Sequence, residues 1–393
     1  DFWDGDLGFT FSAPAVGRVS NDDGDDEFIA IFGGGFDDPG TTGFGEFEGR
    51  VVYVVNALTG NLIRKFRRFD RGTSYDIDLL TEVVARPATH RRPGTNFTYL
   101  SSAFVSAGET LFALRFANPS GVQKADDSKW KPDELFDPTS TRNTDAATCA
   151  SPPCGAVQVR SVYEQVAGNP LAMPTPIPPV YALQNATVGT SFGGKLPLVG
   201  PPPIYNRPRV AALLVPSGAQ ADLLVGTGDV RDPNQPNLGY FRTNYFYAIH
   251  DFNQQLSGPN NDGRALWINQ FPEVSVNRPE QVVSEPAVIT GCVVVATYTL
   301  PLAGAGCNRE GDTTLYGFDP LTGDLKKCLV YSAPSPYAGQ TTSVLKMPGV
   351  GIPSDLVVIN DNIYLSTSRD GLMKAPVNVP PRPGAVRSYR RIK

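Results

Sequence analysis

Histidine is nearly missing from this sequence, with only His90 and His250 in 393 residues. Tryptophan and methionine occur three times each, and cysteine five times. Each scarcity removes a class of chemistry. There is no HExxH metal helix, no GxSxG nucleophile elbow and no P-loop. No run of about 18 apolar residues is available to cross a membrane as a helix. A basic excess is lacking as well, since 34 Lys and Arg against 39 Asp and Glu leave a net charge of -5. That balance argues against nucleic acid as the main partner. Helical periodicity is also absent, because most windows alternate or run continuously apolar between Gly, Pro, Asn or Asp.

What is present is a folded chain rich in turns. Hydrophobic residues make up 41%, and 39 Gly and 36 Pro are spread throughout, as many short strands require. Strand-like runs recur: "FIAIFGGGF", "RVVYVVNA", "YLSSAFVSAGETLFALRF", "RVAALLV", "ADLLVGTG", "YFYAIHDF", "VVSEPAVITGCVVVATYTL", "TLYGFDPL", "DLVVIN" and "NIYLSTS". The opening "DFWDGDLGF" reads as the interior of a longer polypeptide, so an N-terminal part of a parent protein is expected before residue 1.

Two stretches share their punctuation. "VVYVVNALTGNLIRKF" from Val51 and "TLYGFDPLTGDLKKCLVY" from Thr314 both place Asn or Asp, two residues, then Thr-Gly between strand-like runs. That spacing makes a tight hairpin whose glycine takes a positive φ. Four-stranded sheets that cannot bury their faces alone, repeated about an axis, make a β-propeller. At roughly 40–50 residues per blade the chain accommodates about seven. The expectation is one all-β propeller over residues 1–393. A Pro-rich loop excursion around 119–208 carries "NPLAMPTPIPPV" and "LPLVGPPPIYNRP". The glycines of "FGGGF" and "VGTGD" lack a following helix and a Lys-Ser/Thr, so they are read as letting blades approach the crowded axis.

Candidate sites are few. "SNDDGDDEF" sets Asn21, Asp23, Asp25 and Glu27 at alternate positions about Gly24. Oxygen donors at that spacing suit calcium, and a solvated acidic hairpin is the competing reading. Cys149 and Cys154 in "CASPPC" are spaced for a local disulfide. Cys307 and Cys328 flank the second hairpin and could staple it, with Cys292 a competitor for Cys307. Disulfides imply an oxidising, extracytoplasmic location. His250, among aromatics in "YFYAIHDF", reads as a structural strand residue.

Taken in order, several stretches resemble the C-terminal propeller of PilY-type proteins, the adhesins and assembly factors at the tip of the bacterial type IV pilus. They are "LGFTFSAPAVGRV", "FIAIFGGGF", "DLLVGTGDVRD…NYFYAIHDF", "EQVVSEPAVITGCVVVATYTLP", "TTLYGFDPLTG" and "GIPSDLVV…IYLSTSRDG…RSYRRIK". Residues from about Asp70 to Ile204 match poorly. The resemblance implies a modified quinoprotein-like propeller without enzymatic activity, exported through the periplasm to the pilus tip. It implies minor pilins as partners, and roles in pilus assembly, resistance to retraction, adhesion and twitching motility. The calcium loop of many family members has no counterpart in "RPATHRRPGTNFTYL", so calcium here would fall to Asn21–Glu27. No Arg-Gly-Asp occurs.

Two alternatives remain. One is a quinoprotein dehydrogenase with pyrroloquinoline quinone and calcium, which would need a docking Trp after each Thr-Gly. The residues after Gly60 and Gly323 are instead Asn-Leu-Ile-Arg and Asp-Leu-Lys-Lys. The other is a scaffold propeller of a different surface complex. The basic tail Arg387, Arg390, Arg391 and Lys393 reads as solvated or as part of a closing strand.

Overall fold

The computed structural model describes residues 7–8, 12–20, 25–35, 49–67, 83, 85–91, 99–108, 110–117, 130, 132–136, 159–162, 165, 204, 206–215, 218–228, 244–250, 264–271, 280–289, 291–301, 310–331, 338–359 and 362–377. Every named element among them is a strand.

The first sheet is β1 (Ala15–Ser20), β2 (Asp26–Gly33), β3 (Val51–Asn56) and β4 (Leu62–Arg67), antiparallel in chain order. The second repeats this plan with β5 (Ala88–His90), β6 (Ser102–Ala107), β7 (Thr110–Arg115) and β8 (Pro132–Phe136). After β9 (Val159–Ser161), the third is β10 (Arg209–Val215), β11 (Gly218–Gly226), β12 (Asn244–His250) and β13 (Arg264–Phe271), with β9 lying parallel beside β13. In the fourth, β14 (Glu280–Val282) and β15 (Ala287–Ile289) both pair with β16 (Cys292–Thr299), followed by β17 (Asp312–Phe318). A ribbon of β18 (Leu329–Val330) and β19 (Thr341–Thr342) interrupts it before the last strand, β20 (Val344–Met347). The fifth sheet is β21 (Val357–Ile359), β22 (Asn362–Thr367) and β23 (Gly371–Pro376).

Successive sheets pack face to face, each pair around its own core. Val19, Ile29 and Ile31 of the first meet Leu100, Val105 and Trp130 of the second. Phe104 and Phe136 meet Tyr245 and Tyr247 of the third. Phe246 and Trp267 meet Val293 and Phe318 of the fourth, and Val294 and Leu315 meet Ile363 and Leu365 of the fifth. This is the blade-on-blade packing of a β-propeller. It explains the sequence texture. A sheet covered on both faces needs apolar side chains at every position, so β6, β12 and β16 are buried throughout. The outer faces of the first and fifth sheets are partly exposed, so β22 alternates, and Val16 and Phe28 stand 54% and 44% exposed.

The start of each of the first four sheets carries a repeat that the sequence reading overlooked. Ser12-Ala-Pro-Ala-Val16, Ala85-Arg-Pro-Ala-Thr89, Asn206-Arg-Pro-Arg-Val210 and Ser284-Glu-Pro-Ala-Val288 each lead into a first strand. Ser12 Oγ donates to the Ala85 carbonyl (3.1 Å), and Asn206 Nδ2 donates to the Val282 carbonyl, so the motif ties one sheet to the next. Pro14 and Pro87 are 73 residues apart, and Pro208 and Pro286 are 78, a longer period than a minimal blade needs. Two of the glycines read above lie against other segments: a Cβ on Gly33 would meet the Val83 carbonyl oxygen at 2.1 Å, and one on Gly226 would meet Val282 at 2.2 Å.

The interval 119–208 is not loop alone. Its "KWKPDELFDP" supplies Trp130 to the first core and β8 to the second sheet, and β9 joins the third. Prolines at 132 and 138 masked a strand that lies at a sheet edge, where a missing N–H costs nothing.

Candidate functional site

The two Leu-Thr-Gly hairpins are superposable in their bonding. In the first, the Leu58 and Thr59 N–H groups donate to Asn56 Oδ1 (2.9 Å each), and the Gly60 N–H donates to the Asn56 carbonyl (2.8 Å). In the second, Leu321 and Thr322 donate to Asp319 Oδ1 (2.9 and 3.3 Å), and Gly323 to the Asp319 carbonyl (2.9 Å). Gly60 and Gly323 have φ of 75° and 73°, as the turn demands.

Their surroundings differ. Lys326 Nζ pairs with Asp319 Oδ2 at 2.9 Å. Burial pushes the Asp319 carboxyl up, but the Lys326 hydrogen bond and charge, with the Leu321 and Thr322 N–H groups, hold it below its ordinary value. The Trp267 indole donates to the Pro320 carbonyl (3.0 Å), and Asn269 Nδ2 donates to the Gly323 carbonyl (2.9 Å). Gln165, just past β9, bridges the two, donating to Asn269 Oδ1 (3.0 Å) and accepting from Leu325 N (2.9 Å). Part of the Pro-rich interval thus clamps the third sheet to the fourth. Trp267 escaped the sequence reading because it precedes the second hairpin by a whole sheet instead of following a Thr-Gly.

Of the four residues read as calcium donors, Asn21 and Asp23 lie outside the described residues. Asp25 precedes β2, and Glu27 on β2 accepts from Asn56 Nδ2 (3.0 Å), which bonds it to the first hairpin. Asp26 between them pairs with Arg18 and accepts from the Tyr99 hydroxyl. Among the described residues no group of three or more His, Cys, Asp or Glu could hold a metal ion.

Two buried carboxylates, Asp222 and Glu280, are bonded to other side chains. His250 sits on β12 as expected, with Nδ1 2.7 Å from Asp222 Oδ1 directly across on β11. Glu280, 2% exposed, accepts from the Thr297 hydroxyl and from the Tyr316 hydroxyl (3.1 Å). Each carboxylate bonds side chains of neighbouring strands, the pattern of an internal tie.

The disulfide reading needs correction. Cys328 bonds Cys292, not Cys307, with the Cα atoms 6.5 Å apart. β16 begins at Cys292, beside the end of β17, and Gly317 leaves space there for both sulfurs. A Cβ on Gly317 would meet Cys328 Sγ at 2.4 Å and Cys292 Sγ at 3.5 Å. Cys149, Cys154 and Cys307 lie outside the described residues, as does the basic tail.

No protein-family model and no curated protein matches the sequence. Solved structures do. The PilY1 C-terminal domain of Pseudomonas aeruginosa aligns with 96% of this chain and 74% of its own, at TM-score 0.52 and 14% identity. BamB from Moraxella catarrhalis aligns with 93% of this chain and 83% of its own, at TM-score 0.28 and 11% identity. The PQQ domain of a pyranose dehydrogenase from Coprinopsis cinerea aligns with 94% of this chain and 75% of its own, at TM-score 0.31 and 11% identity. The first likeness shows that this chain has the fold of the PilY1 C-terminal domain; the other two scores are too low to carry an argument.

Proposed function

We propose that this chain is the propeller of a PilY-type protein. It acts without enzymatic activity at the tip of a type IV pilus, promoting assembly, countering retraction and contributing to adhesion and twitching motility. The observation that supports this reading is a shared fold over 96% of the chain, in the family that the ordered sequence stretches resemble. The Cys292–Cys328 bond suits a protein exported through the periplasm to the cell surface. Minor pilins are the partners this reading implies. The expected calcium would use Asp25 and Glu27 with the loop before them, and a calorimetric Ca²⁺ titration separates binding from a solvated acidic hairpin.

The test is a count of surface pili in cells whose full-length gene is deleted, then complemented with or without this region. Pili that return only when the region is present support an assembly role. Pili that persist without it overturn that role and leave a surface-binding propeller.

A further inference from the structure

The fourth sheet supplies a piece of itself to the fifth. Between β17 and β20 the chain leaves the sheet as the ribbon β18–β19. Both feet of the ribbon stand on Gly317 of β17. The Lys326 N–H donates to the Gly317 carbonyl (2.8 Å), and the Gly317 N–H donates to the Ser343 carbonyl (2.8 Å). From there the ribbon reaches away from its own sheet. Leu329 on β18 forms an antiparallel bridge with Val377, the residue after β23. Its side chain is fully buried, in the core that holds Ile363, Leu365 and Ala375 of the fifth sheet.

The fifth sheet is the one that most needs such cover. Among the described residues it has three strands, and β21 leaves Val357, Val358 and Ile359 exposed by 52%, 39% and 50%. The third sheet is covered in a similar way at its outer edge. There β9 arrives from elsewhere in the chain, lies beside β13, and is followed by Gln165, which bonds Asn269.

The ribbon cannot hold itself in place. Its strands are two residues each, paired through Leu329 with Thr342 and Val330 with Thr341, and a two-stranded ribbon is marginal on its own. Its fastening is covalent. Cys328 immediately precedes β18, and its bond to Cys292 ties the root of the ribbon to the first residue of β16. As a staple of the fourth sheet that bond is redundant. β16 and β17 are already paired without a break from Val293 to Thr299.

We propose that β18–β19 is a latch on the fifth sheet, fastened by the Cys292–Cys328 bond. Without the bond the latch swings free, and the fifth sheet opens while the first three stay folded. This differs from the general effect of a cross-link. A disulfide that only restricts the unfolded chain protects every sheet alike, because it acts on global unfolding. A latch protects one sheet.

The test is hydrogen exchange of the full chain, comparing the parent with Cys292→Ala/Cys328→Ala. The amides of β22 and β23 are expected to exchange about thirtyfold faster in the variant, and those of β6 and β12 at the parent rate. Acceleration spread over all sheets, acceleration as large in β16 and β17, or none in β22 and β23 overturns the proposal. Leu329→Ala gives a second readout with the disulfide intact, and it decides the matter alone where the double variant does not fold. It should speed exchange in β22 and β23 and leave β6 and β12 unchanged. Combined with the cysteine variant it should add little, because the latch is already open. Full additivity of the two changes, or a Leu329→Ala effect spread over all sheets, overturns the latch.

Discussion

The first and fourth sheets are built to one plan, yet the first leaves Val16, Phe28 and Leu62 partly exposed, whereas β16 of the fourth is buried throughout. The plan is local: an Asx-capped turn, a glycine at positive φ and a strand on either side. Burial is not local. The fourth sheet has Trp267 and Asn269 of β13 and Gln165 brought to its hairpin from two other places in the chain, along with its own Lys326. The same turn chemistry therefore sets a conformation in both places, and among the described residues tertiary partners turn it into a joint between blades at the second. Stability should accordingly be unequal across otherwise equivalent residues.

Trp267→Ala tests the joint most directly. It removes a buried ring and the donor to the Pro320 carbonyl, and should cost about 3–5 kcal/mol in denaturant unfolding. Next come the two glycines. Gly60→Ala and Gly323→Ala both place a Cβ in left-handed backbone, at about 1–2 kcal/mol each. Gly323→Ala should cost about 1–3 kcal/mol more, because its new Cβ runs into Trp267. Equal costs at the two sites would show that the indole yields freely.

The capping residues differ in charge, so pH separates them. The folded-state carboxyl of Asp319 is held below its unfolded value, so its contribution is fully present above the unfolded value and is lost as pH falls through the folded one. Asp319→Asn should flatten that acid-side loss in a melting series. Asn56→Asp, beside Glu27 and without a lysine, should not create the same profile. The smallest effect belongs to the tips: Leu321→Ser should shift stability by less than about 0.5 kcal/mol.

The sequence carried the strands and both hairpins legibly because their signals are periodic and local. Continuous apolar runs such as "CVVVATYT" announce a sheet covered on both faces. Partner identity was less legible. Spacing paired Cys328 with Cys307 and set Cys292 to compete for Cys307, whereas Cys292 bonds Cys328 beside the empty side of Gly317. Likewise, the Asp222–His250 and Glu280–Tyr316 ties join residues 28 and 36 positions apart, a relation that composition and periodicity do not encode. The Pro-led repeat at the start of the first four sheets was there to be read, but its period exceeded the blade length assumed.

The Cys292–Cys328 bond has a consequence for timing. Both sulfurs end inside the core between the fourth and fifth sheets, at residues 1% and 3% exposed. Once the fifth sheet has settled there, neither an oxidant nor a reductant reaches them. Oxidation therefore has to come before the fourth and fifth sheets dock, and a chain that folds first in a reducing compartment seals two thiols inside.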